Sequence, residues 1–178
     1  MNADSLRGLV QPDQRSCGPS SLVAARMLLD PSYAPGSFAE EVLALHRQVT
    51  AASSFGRSQM PWPRALGTAP WAIARAMGEM TGRRYRTRVV RFGDRVGDYD
   101  AVVAAVTEDL PCPLYVGDTW LPRHVVLAVA PASSGGVEIY NPAGGNLGGS
   151  SRAEFESGRL ATMGRWTRPW LALVPASG

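Results

Sequence analysis

The sequence predicts an α+β fold, with helices gathered in the first half and a mostly antiparallel sheet in the second. Three observations carry this prediction. Helical apolar spacing recurs as far as about residue 80, and short apolar runs bounded by Pro or Gly follow it. A cysteine, Cys17, stands where the first helical pattern begins.

The first helix is expected over residues 16–29, where Leu22, Val23, Met27 and Leu28 form an apolar stripe that stops at Asp30-Pro31. A second short helix is expected from Phe38 to Gln48. The stretch from Thr50 to Gly67 is rich in Ser, Gly and Pro and reads as a long loop. Thr68-Ala69-Pro70-Trp71 then reads as a cap, with proline tolerated in the first turn, opening a helix through about Met80.

From Tyr85 the period changes to that of a strand, expected to run to about Arg91, and a helix is expected from Tyr99 to Asp109. Leu114 to Val116, His124 to Ala130 and Val137 to Tyr140 are apolar runs bounded by Pro or Gly, as strands are. Ser151-Arg152-Ala153-Glu154 has the capping-box form and announces a short helix near Phe155. Trp170 to Val174 supplies a last strand before a frayed Pro-Ala-Ser-Gly tail.

A chain of 178 residues, 45% hydrophobic and 19% charged, can bury one sizeable core, and no repeat or linker divides it, so one domain over residues 1–178 is expected. Asn2-Ala3-Asp4-Ser5 after Met1 has neither a basic start nor an apolar run, and no window holds the ~18–20 apolar residues of a membrane span. A cytoplasmic protein, or one exported without a signal peptide, is the expectation, with no membrane insertion. Two cysteines 95 positions apart and two histidines make neither a disulfide framework nor a zinc pattern. No cofactor and no metal are expected.

The net charge of +3 is unevenly spread, and every one of the 18 basic residues is arginine. Arg83, Arg84, Arg86, Arg88, Arg91 and Arg95 crowd one segment, and on a strand Arg84, Arg86 and Arg88 share a face. Such a face reads first as a solvated strand surface and second as a strip for an anionic partner. No aromatic residue is interleaved on it to stack bases, so no nucleic acid is expected.

The chemistry begins at Cys17. At a helix N-terminus, free backbone N–H groups and the positive end of the dipole favour thiolate over thiol, so a depressed pKa is expected. A thiol nucleophile needs a base within reach and a group to orient that base. His46 lies among charged residues in Glu40–Arg47 and reads as an ordinary exposed helix histidine. His124 opens the apolar strand Val125–Val129, where a ring at the strand's mouth can face a cleft; a satisfied structural histidine is the other reading. Hairpin pairing brings Asn141, in Tyr140-Asn141-Pro142, back beside His124, where its amide could hold the useful tautomer. Asn before Pro is also a routine turn signal. An oxyanion needs donors, ideally a side-chain amide paired with the nucleophile's own N–H. Gln11, six residues before Cys17, is preferred to Gln14, whose three-residue separation leaves less room for substrate.

Gln11, four intervening residues, Ser16-Cys17-Gly18-Pro19, His124-Val-Val-Leu and Tyr140-Asn141-Pro142-Ala-Gly-Gly together resemble the papain-like cysteine peptidases, and among them the C39-like group. The resemblance reaches from residue 11 to about 175. It implies a papain-like fold with the nucleophile helix packed on the sheet. It also implies attack by Cys17, proton transfer through His124, orientation by Asn141, and an oxyanion hole from Gln11 with the Cys17 backbone. C39-like members often carry Asp where Ser16 and Asn141 stand; Asn in the latter place is the papain arrangement.

Three function classes follow: a thiol hydrolase of peptide or isopeptide bonds; an acyltransferase or glutamine deamidase of the effector kind, with a dedicated inhibitor or immunity protein as partner; and a catalytically silent binding module. A peptide or protein substrate is the expected partner. Cys112, between two prolines, lacks the helix N-terminus that would activate it and reads as a small buried residue. Trp62, Trp71 and Trp120 read as core or loop packing near a cleft, and Gly144–Gly149, without the Lys-Ser/Thr of a phosphate loop, as a flexible flap.

Overall fold

A computed structural model describes residues 2–132, 135–160 and 164–176. After a 3-10 turn at Ala3–Leu6, the chain enters α1 (Cys17–Leu29) and α2 (Phe38–Thr50). Ser37 caps α2, accepting the Glu40 N–H. The expected loop to Gly67 holds a minimal hairpin, β1 (Ser53–Ser54) with β2 (Arg57–Ser58), and a 3-10 turn at Arg64–Leu66. Helix α3 (Pro70–Thr81) starts on Pro70 as expected, but its N-cap is Ala69 and no side chain caps it. The Thr68 hydroxyl is buried instead, without a hydrogen-bond partner among the described residues.

β3 (Tyr85–Val89) stops two residues short of the expected end, because Val90 and Arg91 both turn their N–H groups onto the Trp170 carbonyl. α4 (Arg95–Thr107) starts one turn earlier than its apolar stripe suggests. Asp94 accepts the Gly97 N–H at 3.1 Å, and this cap recruits residues that carry no apolar signal. β4 (Cys112–Gly117), β5 (Pro122–Ala132) and β6 (Gly136–Asn141) follow. Of the stretch Gly144–Gly149 expected as a flap, Gly144 and Gly145 lie in a turn and the rest opens β7 (Asn146–Ser151), an edge strand paired along its length with β6. A two-residue side-chain period is invisible in Gly-Gly, yet the backbone ladder forms all the same. α5 (Arg152–Ser157) has the expected capping box, and β8 (Arg168–Pro175) closes the fold. Of the expected tail, residues 177 and 178 lie outside the described residues.

The six long strands form one antiparallel sheet in the order β3-β8-β4-β5-β6-β7. Alternate residues feed two cores. Val125, Leu127, Val129, Tyr115 and Leu173 pack with Leu22, Ile73 and Met77 of α1 and α3. Val126, Leu114, Val116, Ala172 and Val174 pack with Val102 and Val106 of α4 and Phe155 of α5. Both faces are covered, which is why 125–129 reads as an unbroken apolar run and not as an alternation. Full burial of each large apolar side chain contributes about 1.5–3 kcal/mol, against ~0–1 for a surface ion pair, so burial sets where β5 lies. α1 is buried from Cys17 through Ala25 with no polar side left, more than the single stripe in its sequence suggests. The arginine strip is partly absorbed by the protein itself: Arg88 pairs with the buried Asp98, and Arg95 donates to the Arg91 and Glu156 carbonyls. Among the described residues no helix is long and apolar enough to cross a membrane.

Candidate active site

The loop before α1 is folded on itself around Asp13. The Asp13 carboxylate accepts the Arg15 N–H at 2.8 Å, the Asp13 carbonyl accepts from Gln11 Nε2 at 2.6 Å and from the Ser16 hydroxyl at 3.2 Å, and its N–H reaches Ser16 Oγ at 3.3 Å. Ser16 is therefore engaged backwards and makes no side-chain cap on α1. Cys17 is the first residue of the helix, 7% exposed. Gly18 after it meets Thr68 and Ile73 so closely that a Cβ would stand 3.0 Å from either. Glycine there lets α1 approach α3 at the site.

Cys17 borders a cavity of about 440 Å³ together with Gln14, Arg15, Trp62, Thr68, Tyr115, His124, Val125 and Leu171, among others. α1 lies directly on β5, and the Val125 N–H points at the Cys17 sulfur. The thiol differs from expectation. Burial pushes its pKa from the ordinary 9.0 up to about 11, with the Asp13 charge adding to the rise; the N–H groups of Val125, Gly18 and Cys17 oppose it without prevailing. Desolvation of the anion outweighs the helix terminus when the sulfur is withdrawn from water. No hydrogen bond joins this thiol to either histidine among the described residues.

His124 ends the polar mouth of β5, and its Nε2 lies 2.8 Å from Asn141 Oδ1 at the end of β6. A carboxamide oxygen only accepts, so Nε2 carries the proton and Nδ1 keeps the lone pair of the neutral ring. The Ala143 N–H donates to the same Oδ1 at 3.1 Å, which fixes the amide's orientation. Burial lowers the His124 pKa below 6.5, with the Asn141 contact opposing. At neutral pH the resting site thus holds a thiol and a neutral imidazole, the latter able to take a proton.

Gln11 is tied to the turn after Asn141, its N–H on the Pro142 carbonyl at 2.9 Å. Its amide spans back to Asp13, its buried Oε1 has no partner among the described residues, and it is not on the cavity wall, whereas Gln14 is. His46 overturns its reading as an exposed histidine: it is 5% exposed, with Nε2 3.4 Å from the Gly67 carbonyl, because α2 turns that side of its surface under the 64–68 loop. It shares a helix face with the buried Val42 and Val49, a local signal that the charged Glu40, Glu41 and Arg47 obscure. Trp62 stands on the cavity wall, edge-on to Trp71 at 5.2 Å, while Trp120 is 80% exposed. Cys112 is fully buried, as its flanking prolines suggest. Sequence reasoning missed Tyr115, whose hydroxyl donates to the Thr68 carbonyl at 2.7 Å and pins the loop beside Cys17. Among the described residues no group of three or more His, Cys, Asp or Glu could hold a metal ion.

No protein-family model matches the chain, and no curated protein matches it. Solved structures do. The peptidase domain of Streptococcus ComA, a bi-functional ABC transporter involved in a quorum-sensing pathway, superposes at a TM-score of 0.51 and 17% identity, over 94% of this chain and 97% of that one. The peptidase domain of Streptococcus mutans ComA is also 17% identical, over 95% of this chain and 98% of that one, at a TM-score of 0.44. The chain shares the fold of the first, and the expected α+β architecture, with the Cys17 helix packed on an antiparallel sheet, is the one observed.

Proposed function

We propose that this chain is a cysteine peptidase or related thiol hydrolase that cleaves peptide or isopeptide bonds, with Cys17 as nucleophile, His124 as general base and Asn141 as the group orienting it. The observation that carries this reading is the 2.8 Å contact of His124 Nε2 with Asn141 Oδ1, beside a cavity that Cys17 and His124 share. That contact leaves Nδ1 as the basic nitrogen. With the thiol raised to about 11 and the imidazole neutral, the reaction starts from an uncharged pair. Cys17 Sγ attacks the carbonyl carbon as His124 Nδ1 takes the thiol proton; the imidazolium then gives that proton to the leaving amine as the C–N bond breaks. Water hydrolyses the thioester with His124 again as base, a role worth about 10²–10⁴ in rate. Ring and thiol close to hydrogen-bond distance when substrate is bound, as such contacts often do only in the complex.

The oxyanion is assigned to the Cys17 backbone N–H and one side-chain amide of the preceding loop. Gln11 has the sequence spacing for it, and its amide keeps one N–H beyond that given to Asp13; Gln14 has the position on the cavity wall. Replacing each by alanine separates them, since loss of one true donor costs about 10²–10³ in kcat. The proposal is tested by a vinyl-sulfone or epoxide probe with mass mapping, and by turnover of the Cys17→Ala variant. Labelling at Cys17 and loss of turnover are expected; labelling only at Cys112, or activity surviving in Cys17→Ala, refutes it. The partner is a peptide or protein, and an effector role would add an inhibitor protein.

A second reading, a silent binding module, draws on the same raised thiol pKa, because a module without chemistry has no need of a thiolate. Ammonia release without chain cleavage would instead identify the deamidase alternative.

A further inference from the structure

The cavity beside Cys17 is lined by both apolar and cationic residues. Trp62, Leu66, Leu121 and Leu171 line it, and Leu66 and Leu121 are exposed, 68% and 51%. Two arginines, Arg15 and Arg123, line it as well, and no Asp or Glu does among the described residues. The two arginines are not equivalent. Arg123 Nε is paired with Asp118 Oδ2 at 3.0 Å, and Asp118 is itself fixed by the Trp120 and Leu121 N–H groups on its other oxygen, at 2.7 and 2.8 Å. That charge is matched inside the protein. The Arg15 guanidinium, by contrast, has no ion pair among the described residues. Its own backbone N–H is held by Asp13, so the loop carrying it is fixed two residues before Cys17. The nearest carboxylate in sequence, Asp13, accepts hydrogen bonds within the loop and is not on the cavity wall.

We propose that Arg15 is a specificity-determining residue, selecting a substrate peptide that places a carboxylate next to a bulky apolar side chain seated against Trp62, Leu66, Leu121 and Leu171. The inference rests on the peptide-hydrolase reading above and names its substrate class. A planar guanidinium takes a carboxylate through two parallel hydrogen bonds, and an unmatched cation on a wall without acids repels a basic substrate residue. The carboxylate is that of a Glu or Asp side chain or of a chain terminus. All three present the same two oxygens.

The test uses fluorescent peptides and the Cys17→Ala protein, so that binding is read without turnover. The set holds Leu followed or preceded by Glu, by Gln or by Arg, with amidated ends, and Leu at a free C-terminal carboxylate. The expected result is binding of a carboxylate-bearing peptide about 10- to 100-fold tighter than its Gln counterpart, the range of a charged hydrogen bond. Arg15→Gln, in the same background, removes this preference, and Arg15→Glu turns it towards the Arg peptide. Added salt weakens the Glu peptide more than the Gln peptide. Preference among the Glu peptides identifies a side-chain carboxylate, and preference for the free-ended peptide a terminal one. Equal binding of Glu and Gln peptides, a preference that survives Arg15→Gln, or no binding of any peptide overturns the proposal. Failure of catalysis alone would not: wild-type protein that binds the Glu peptide selectively but cleaves nothing retains the subsite and refutes only the hydrolase reading. Arg15 is exposed, so an unchanged melting temperature of its variants checks that the fold is intact.

Discussion

The Tyr140 hydroxyl donates to the Leu9 carbonyl at 2.5 Å, joining the strand that ends in Asn141 to the segment that carries Gln11. Two backbone bonds extend the same junction: Gly8 N–H to the Gly145 carbonyl at 2.7 Å and Gln11 N–H to the Pro142 carbonyl at 2.9 Å. Gly145 has φ +61, and a Cβ there would stand 3.0 Å from the Gly8 backbone, so the turn after Asn141 and the N-terminal segment are fitted to each other. The His124–Asn141 pair and the loop leading to Cys17 therefore share one support.

Tyr140→Phe keeps the ring and removes this bond. A loss of about 1–3 kcal/mol in unfolding free energy is expected, because the Leu9 carbonyl is left without its donor. Denaturant unfolding measures it. A reduced kcat at unchanged melting would also register, while an unaltered midpoint together with unaltered activity would show that the junction does not support the site.

Gly18→Ala is expected to destabilise by about 1–3 kcal/mol, since the added methyl would sit 3.0 Å from Ile73 Cδ1 and Thr68 Cβ in the contact between α1 and α3. Thr68→Gly in the same chain should recover part of that loss. The double-variant cycle is read by thermal or urea unfolding, and strictly additive effects would argue against the steric cause.

Both histidines are held below 6.5, each chiefly by burial. The unfolded chain then binds protons more readily than the folded one, so stability is full above about pH 6.5 and declines as pH falls from there through the folded-state values. The urea midpoint should drop between pH 7.5 and pH 5. His46→Gln, which keeps a donor for the Gly67 carbonyl, should flatten the decline. Asp118, held at about 2, titrates far below this window and leaves it undisturbed. A midpoint independent of pH over this range would contradict the burial of neutral rings.

Cys17 should be slow to alkylate at pH 6, its rate with iodoacetamide climbing steadily with pH towards about 11. Mass mapping distinguishes it from Cys112, which burial pushes higher still. A rate plateau reached below pH 7 would instead reveal a preformed thiolate–imidazolium pair. If the proposed chemistry holds, kcat/KM should rise on a limb below pH 6.5 as His124 loses its proton.

Much of the fold was legible because its signals are local. The stripe of α1, the Pro70 start of α3, the Ser151 capping box and the Pro- and Gly-bounded strands depend on residues within one element. The start of α4 and the β7 strand escaped, since a cap and a glycine ladder replace the apolar pattern there. His46 escaped because flanking charges mask its place on the Val42 and Val49 face, and the loop that covers it lies 21 residues away.

The sequence by itself determined the order of Gln11, Cys17, His124 and Asn141, the placing of Cys17 at a helix start, and the meeting of His124 with Asn141 through hairpin pairing. Tertiary structure alone decided how deeply the sulfur lies and therefore that it is protonated, because burial raises its pKa by more than the N–H groups around it lower it. It also decided which arginine lining the cavity has no ion pair among the described residues. Arg123 and Arg15 read alike along the chain, and the Asp118 turn satisfies only one of them.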